Sequence, residues 1–206
     1  MIITETFKDD FFECFYGVRP CVGQILSGDE IVLCRQADYI VVGVIDGLGH
    51  GKKASEVAIN IKDYIQEHHF LPLDTLLSQA HELFKGSQGA VVALAKIFAD
   101  GQAQYIGLGN IETRLLSSQR SLILLPRDGA LGIRSRRIEM TLWQMQANEI
   151  LLFYSDGISN QIMKDGNLPF IRSTADIQRN IEIFGKSHDD AALFYIHKLT
   201  PPIHYA

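Results

Sequence analysis

Short apolar runs of strand length fill most of this chain, interrupted by stretches of helical periodicity. Residues 1–45 read mostly as strands, with turns at Val18–Cys21 and Leu26–Glu30. In Lys52–His68 the apolar positions Ala54, Val57, Ala58, Ile61 and Ile65 recur at helical spacing, and Lys53, Glu56, Lys62, Gln66 and Glu67 fall largely between them. That spacing predicts an amphipathic helix. Pro72 breaks the chain, Asp74 is placed to cap a second helix, and Gly86 is placed to end it. The apolar face of that helix holds Leu76, Leu77, Ala80, Leu83 and Phe84. Extended runs follow at Gly89–Phe98, Gln102–Leu108, Glu112–Leu116 and Leu122–Leu125, with a hairpin-type turn at Ala99-Asp100-Gly101. Further strands are predicted at Arg137–Gln144 and Ile150–Tyr154. A third helix starts at Ser173 or Thr174, carries Ile177, Ile181 and Phe184 and stops at Gly185, before a last strand at Ala191–Ile196. Two central helices inside a strand-rich chain fit a sheet sandwich with helices outside.

Composition narrows the class. A chain of 206 residues with 47% hydrophobic content fits one globular domain with a sizeable core. No repeat, heptad, low-complexity segment or linker divides it. We expect a single domain over residues 1–199 and an extended tail from Thr200-Pro201-Pro202 to Ala206. A net charge of −5 argues against a nucleic-acid-binding surface. Cys14, Cys21 and Cys34 are odd in number and lack metal-ligand spacing, which favours reduced thiols in the cytoplasm. The acidic N-terminus has no signal-peptide layout, and no apolar run reaches the roughly 18 residues of a membrane span.

The acids give the chemistry. In Val41–Gly51, VVGVIDGLGHG, a β-branched run ends in Asp46-Gly47. A buried strand of this kind places a carboxylate at the rim of a sheet, and the following glycines let the backbone turn sharply. Alone, Asp-Gly is an ordinary turn dipeptide. Three more acidic turns abut strands: Ser27-Gly28-Asp29-Glu30, Ser155-Asp156-Gly157 and Ser187-His188-Asp189-Asp190. Clustered carboxylates repel one another, and hard divalent cations take oxygen ligands, so a metal would explain their gathering.

The order and type of these motifs resemble the metal-dependent PPM-type Ser/Thr protein phosphatases, in the bacterial branch typified by SpoIIE, RsbU and RsbX. The resemblance runs from about Gly28 to Ile196 through Gly28-Asp29, DGLGHG at Asp46–Gly51 and GSQGAVVAL at Gly86–Leu94. It continues through YIGLGN at Tyr105–Asn110, GALGI at Gly129–Ile133, LLFYSDGI at Leu151–Ile158 and Asp189-Asp190. The compact length is most similar to the stand-alone RsbX type. The resemblance implies an α+β fold, a four-layer α-β-β-α sandwich of two antiparallel sheets flanked by helices. It also implies two or more Mn²⁺ or Mg²⁺ ions. Asp46 matches the bridging carboxylate, Gly47 a carbonyl ligand, Asp156 and Asp189 the other direct ligands of one ion, and Asp29 an acid reaching the second ion through water. Asp190 is a neighbour rather than the first choice. Asp46 and Asp29 are thus the expected catalytic centre, with His50 a candidate general acid or a loop residue.

The implied reaction is hydrolysis of phosphoserine or phosphothreonine on a regulatory protein, first of all a phosphorylated STAS-domain or stressosome protein. The alternatives are a phosphatase acting on a phosphorylated anti-sigma-factor antagonist, a catalytically silent binding module of the same fold, and a hydrolase of small phosphate esters. Neither nucleic acid nor membrane is expected as a partner. Two departures from the family stand out: Cys21–Ser27 has no phosphate-gripping arginine, Arg19 lying ten residues before Asp29, and Gln88 stands where related bacterial members often carry arginine. No flap-like insert is evident. Arg127, Arg134, Arg136 and Arg137 form a basic cluster best read as solvated loop residues.

Overall fold

Burial on two faces explains why the central strands read as continuous apolar runs. The computed structural model describes residues 1–118, 121–135, 138–164 and 171–200. The chain begins with β1 (Ile3–Lys8), β2 (Phe12–Arg19), β3 (Asp29–Arg35) and β4 (Tyr39–Gly47), then α1 (Lys52–His68) and α2 (Leu73–Leu83). The next strands are β5 (Ala90–Phe98), β6 (Gln102–Leu108), β7 (Glu112–Leu116) and β8 (Ser121–Ile123). After the short β9 (Gly129–Ala130) and β10 (Arg134–Ser135) come β11 (Thr141–Gln144), β12 (Ile150–Tyr154), α3 (Thr174–Phe184) and β13 (Ala191–Lys198).

These strands form one sheet in the order β1-β2-β13-β12-β7-β8 and another in the order β11-β6-β5-β4-β3, with every pairing antiparallel. Alternation sorts the side chains into layers. In β4, Val42 and Val44 meet Phe153 of β12 and Phe194 of β13 in the core that holds residues of both sheets. Val41 and Ile45 point the other way, into a cluster with Ile61 and Ile65 of α1 and Leu76 and Leu77 of α2. In β12 and β13, Leu152, Tyr154, Leu193 and Tyr195 join Ile177 and Ile181 of α3. The result is helices, sheet, sheet and helix in four layers, the expected sandwich.

The first helix has the predicted bounds. The third begins behind Ser173, whose hydroxyl accepts the Asp176 N–H while the Asp176 carboxylate accepts the Ser173 hydroxyl in return. The cap of α2 differs from the expectation. Pro72 occupies that position and Asp74 lies inside the first turn, accepting the N–H of Thr75 at 2.7 Å. There its charge still suits the positive helix end. The strand expected from Arg137 starts only at Thr141. Residues 136–137 lie outside the described residues, as do 201–206 of the expected tail, while Ile138 and Met140 pack against the α1–α2 cluster. All three cysteines are free thiols, as their number suggested. No helix among the described residues is long and apolar enough to cross a membrane.

Candidate metal centre

Strand register brings the acids together. Pairing of β3 with β4 sets Asp29 directly opposite Asp46. In the facing sheet Tyr154 pairs with Leu193, and the Ser155 N–H continues the ladder onto the Ala192 carbonyl at 3.1 Å. Asp156, just past β12, and Asp189-Asp190, just before β13, therefore leave their sheet at the same end. Ser155 joins the two sheets there. Its hydroxyl donates to Asp29 at 2.6 Å and accepts the Ala192 N–H at 2.9 Å.

The two adjacent acids at the start of β13 do different work. Asp190 is only 3% exposed and accepts the N–H groups of Cys21 and Gly28 at 2.7 and 2.8 Å, one on each oxygen. It clamps the loop that leads into Asp29. Asp189 is half-buried, and one of its oxygens accepts the Asp190 N–H at 3.0 Å. Asp156 accepts the side-chain amide of Asn110 at 2.9 Å, and its main-chain carbonyl accepts the Lys186 ammonium at 2.6 Å.

Burial and mutual repulsion dominate the electrostatics. Asp46 is pushed up to about 8, first by burial and then by Asp156, Asp189 and Asp190. Asp29 is raised by burial and by Asp46, with the Ser155 hydrogen bond pulling the other way. Asp189 is raised by burial and then by Asp156. An apolar surrounding and like charges each disfavour the ionised form. The donors are all oxygens, and every charged group acting on Asp46 is another carboxylate. Such a set fits hard divalent cations. Among the described residues no three His, Cys, Asp or Glu side chains are grouped so that they alone could hold a metal ion. Small hard cations retain several water ligands and so need few protein side chains.

The loop after Asp46 is tied on both sides. The Gly47 N–H donates to the Gly28 carbonyl at 2.9 Å and the Leu48 N–H to the Gly89 carbonyl at 3.0 Å. Gly49 and Gly51 take φ values of 90° and 75°, the left-handed region that a side chain disfavours. The Gln88 side-chain amide donates to the Leu48 carbonyl, so Gln88 latches this loop. His50 is exposed on it. The GALGI turn is held to α2 through the Gly132 N–H, which donates to His81 Nδ1 at 3.1 Å. Of the basic cluster, Arg127 pairs with Glu139, while Arg136 and Arg137 lie outside the described residues.

Sequence reasoning assigned no part to Ser155, Asn110 or Lys186. The first two were visible inside SDG and LGN, but their partners lie 126 and 46 residues away in the chain.

The model of the SpoIIE family (stage II sporulation protein E) matches residues 36–198. The chain belongs to the SpoIIE family. A curated relative, phosphoserine phosphatase RsbX of Bacillus subtilis (strain 168), is 23% identical over 187 residues, covering 86% of this chain and 90% of the relative. A crystal structure of RsbX in complex with magnesium superposes with a TM-score of 0.83 at 20% identity, covering 96% of this chain and all of that one. A structure from work on the bacterial stressosome gives a TM-score of 0.81 at 26% identity, covering 90% of this chain and 99% of that one. As a SpoIIE-family member with this sandwich, the chain is a metal-dependent PPM-type phosphatase.

Proposed function

We propose that this phosphatase removes phosphate from serine or threonine on a folded regulatory protein, a STAS-domain component of a stressosome-type assembly in the cytoplasm. The observation that carries the reading is the gathering of Asp46, set opposite Asp29 by the pairing of β3 with β4, with Asp156, Asp189 and Asp190 where the two sheets meet. Asp46 would bridge two ions, Mn²⁺ or Mg²⁺, with the Gly47 carbonyl, Asp156 and Asp189 as further ligands. Asp29 would act on the second ion through water, leaving Asp190 as the clamp on the Cys21–Gly28 loop. When bound, a pair of divalent ions lowers the pKa of water and offsets the charge of the phosphoryl group. The chain's own part is placement: Ser155 orients Asp29, Asn110 orients Asp156, and Gln88 fixes the loop that carries His50. With Gln88 and Arg19 both engaged by main-chain carbonyls, the ions supply most of the phosphate affinity.

Specificity then rests on the surface of the partner, so a short phosphopeptide is a poor substrate. Phosphate release from an intact phosphorylated STAS protein and from a peptide carrying its phosphosite, each with Mn²⁺, Mg²⁺ or EDTA, tests this. We expect metal-dependent release and a much higher kcat/KM for the intact protein. Equal efficiency for the two would favour a broad phosphoester hydrolase.

A further inference from the structure

We propose that Arg19 is a positioning residue for the metal centre, holding the 185–189 turn in the shape that presents Asp189. This rests on the reading of Asp189 as a metal ligand. Arg19 is the last residue of β2 and pairs with Ala191, the first residue of β13. From there its Nη2 reaches back along the turn, donating to the Lys186 carbonyl and, at 3.1 Å, to the Asp189 carbonyl. One planar guanidinium nitrogen therefore fixes two carbonyls three residues apart, at either side of Ser187 and His188.

Other bonds complete the turn. The Val22 N–H donates to the Ser187 carbonyl at 3.0 Å, and the Lys186 N–H donates to the Gly157 carbonyl at 2.7 Å. The Lys186 ammonium, on the Asp156 carbonyl, links this turn to the other acidic one. Gly185 makes room for the arrangement: a Cβ there would lie 2.9 Å from Arg19 Nη1 and 3.2 Å from its Cζ. Arg19 Nε is buried and makes no hydrogen bond, so among the described residues the carbonyl contacts are what anchor the group. An arginine spent on main-chain carbonyls this close to the acids acts on the geometry of Asp189 rather than on the phosphate. Removing an outer partner of a metal ligand typically weakens metal binding by about 10- to 100-fold.

Arg19→Gln and Arg19→Lys, each compared with the full-length wild-type chain, test the proposal. Calorimetric titration with Mn²⁺ should show affinity falling about tenfold in Arg19→Gln. The loss should be smaller in Arg19→Lys, where an ammonium restores one charged donor. Metal-free hydrogen exchange should report faster exchange at the amides of 186–190 in Arg19→Gln while β12 and β13 stay protected. With saturating Mn²⁺, kcat should recover most of its wild-type value, because the arginine does not touch the substrate. Folded Arg19→Gln that binds Mn²⁺ as tightly as the wild type overturns the proposal. Wild-type protein that takes up no Mn²⁺ overturns this proposal together with the metal reading, which separates that failure from one confined to Arg19.

Discussion

Replacing Asp46 by asparagine should separate the catalytic and structural consequences of the acidic cluster. Asparagine keeps the size of the side chain but cannot ionise, so it is free of the burial and like-charge effects that disfavour the Asp46 carboxylate. In the metal-free protein at pH 7, Asp46 is held protonated, with a value near 8 against an ordinary 3.8. The unfolded chain would ionise the same group. About three pH units separate the ordinary value from neutrality, each equivalent to about 1.36 kcal/mol, so folding bears a cost of up to about 4 kcal/mol. Relaxation and water entry reduce that, and we expect Asp46→Asn to stabilise the metal-free protein by about 2 kcal/mol. In a chain of this size the gain corresponds to a Tm increase of roughly 4–8 °C. Differential scanning calorimetry in EDTA and in excess Mn²⁺ reads it. Excess metal should raise the wild-type Tm by mass action and leave the variant almost unmoved. Mn²⁺-dependent phosphatase turnover should disappear. A variant that is less stable than the wild type in EDTA, or that turns over at the wild-type rate with matched metal, would refute the placement of Asp46 at the centre of the cluster.

Two further outcomes follow from the same geometry. Because the folded value of Asp46 lies above its ordinary one, the folded protein keeps a proton that the unfolded chain releases. Metal-free stability should therefore fall as pH rises from about 4 towards 8, and should fall less in Asp46→Asn; urea unfolding across that range in EDTA checks the sign. Ser155→Ala removes the hydroxyl that joins Asp29 to the Ala192 N–H, leaving both buried groups without that partner. It should cost about 1–3 kcal/mol in denaturant unfolding and weaken Mn²⁺ binding, and an unchanged unfolding midpoint would count against the sheet-joining role.

Much of the fold was legible in the chain because its core is periodic. Strand runs such as Gln102–Leu108, Glu112–Leu116 and Ile150–Tyr154 appear with the bounds read from the sequence, as does the helix at Lys52–His68. Local chemistry also put the start of α3 at Ser173 or Thr174, of which Ser173 is the cap, and its end at Gly185. It misplaced the start of α2, where Pro72, with no side-chain cap hydrogen bond, rather than Asp74 stands at the boundary. The acids were visible as turn residues beside apolar strands, and the family resemblance supplied their expected roles.

Only tertiary structure could distinguish Asp189 from Asp190. The two are identical in type and adjacent in sequence, yet one has each oxygen held by an N–H more than 160 residues away and the other does not. The same holds for Ser155 and Arg19, whose partners lie on distant strands and turns. Periodicity reports which face of an element is buried, because burial is a property of the local pattern. Partners across a sandwich are set by strand register and by the crossing of two sheets, and no short stretch of the chain contains that information.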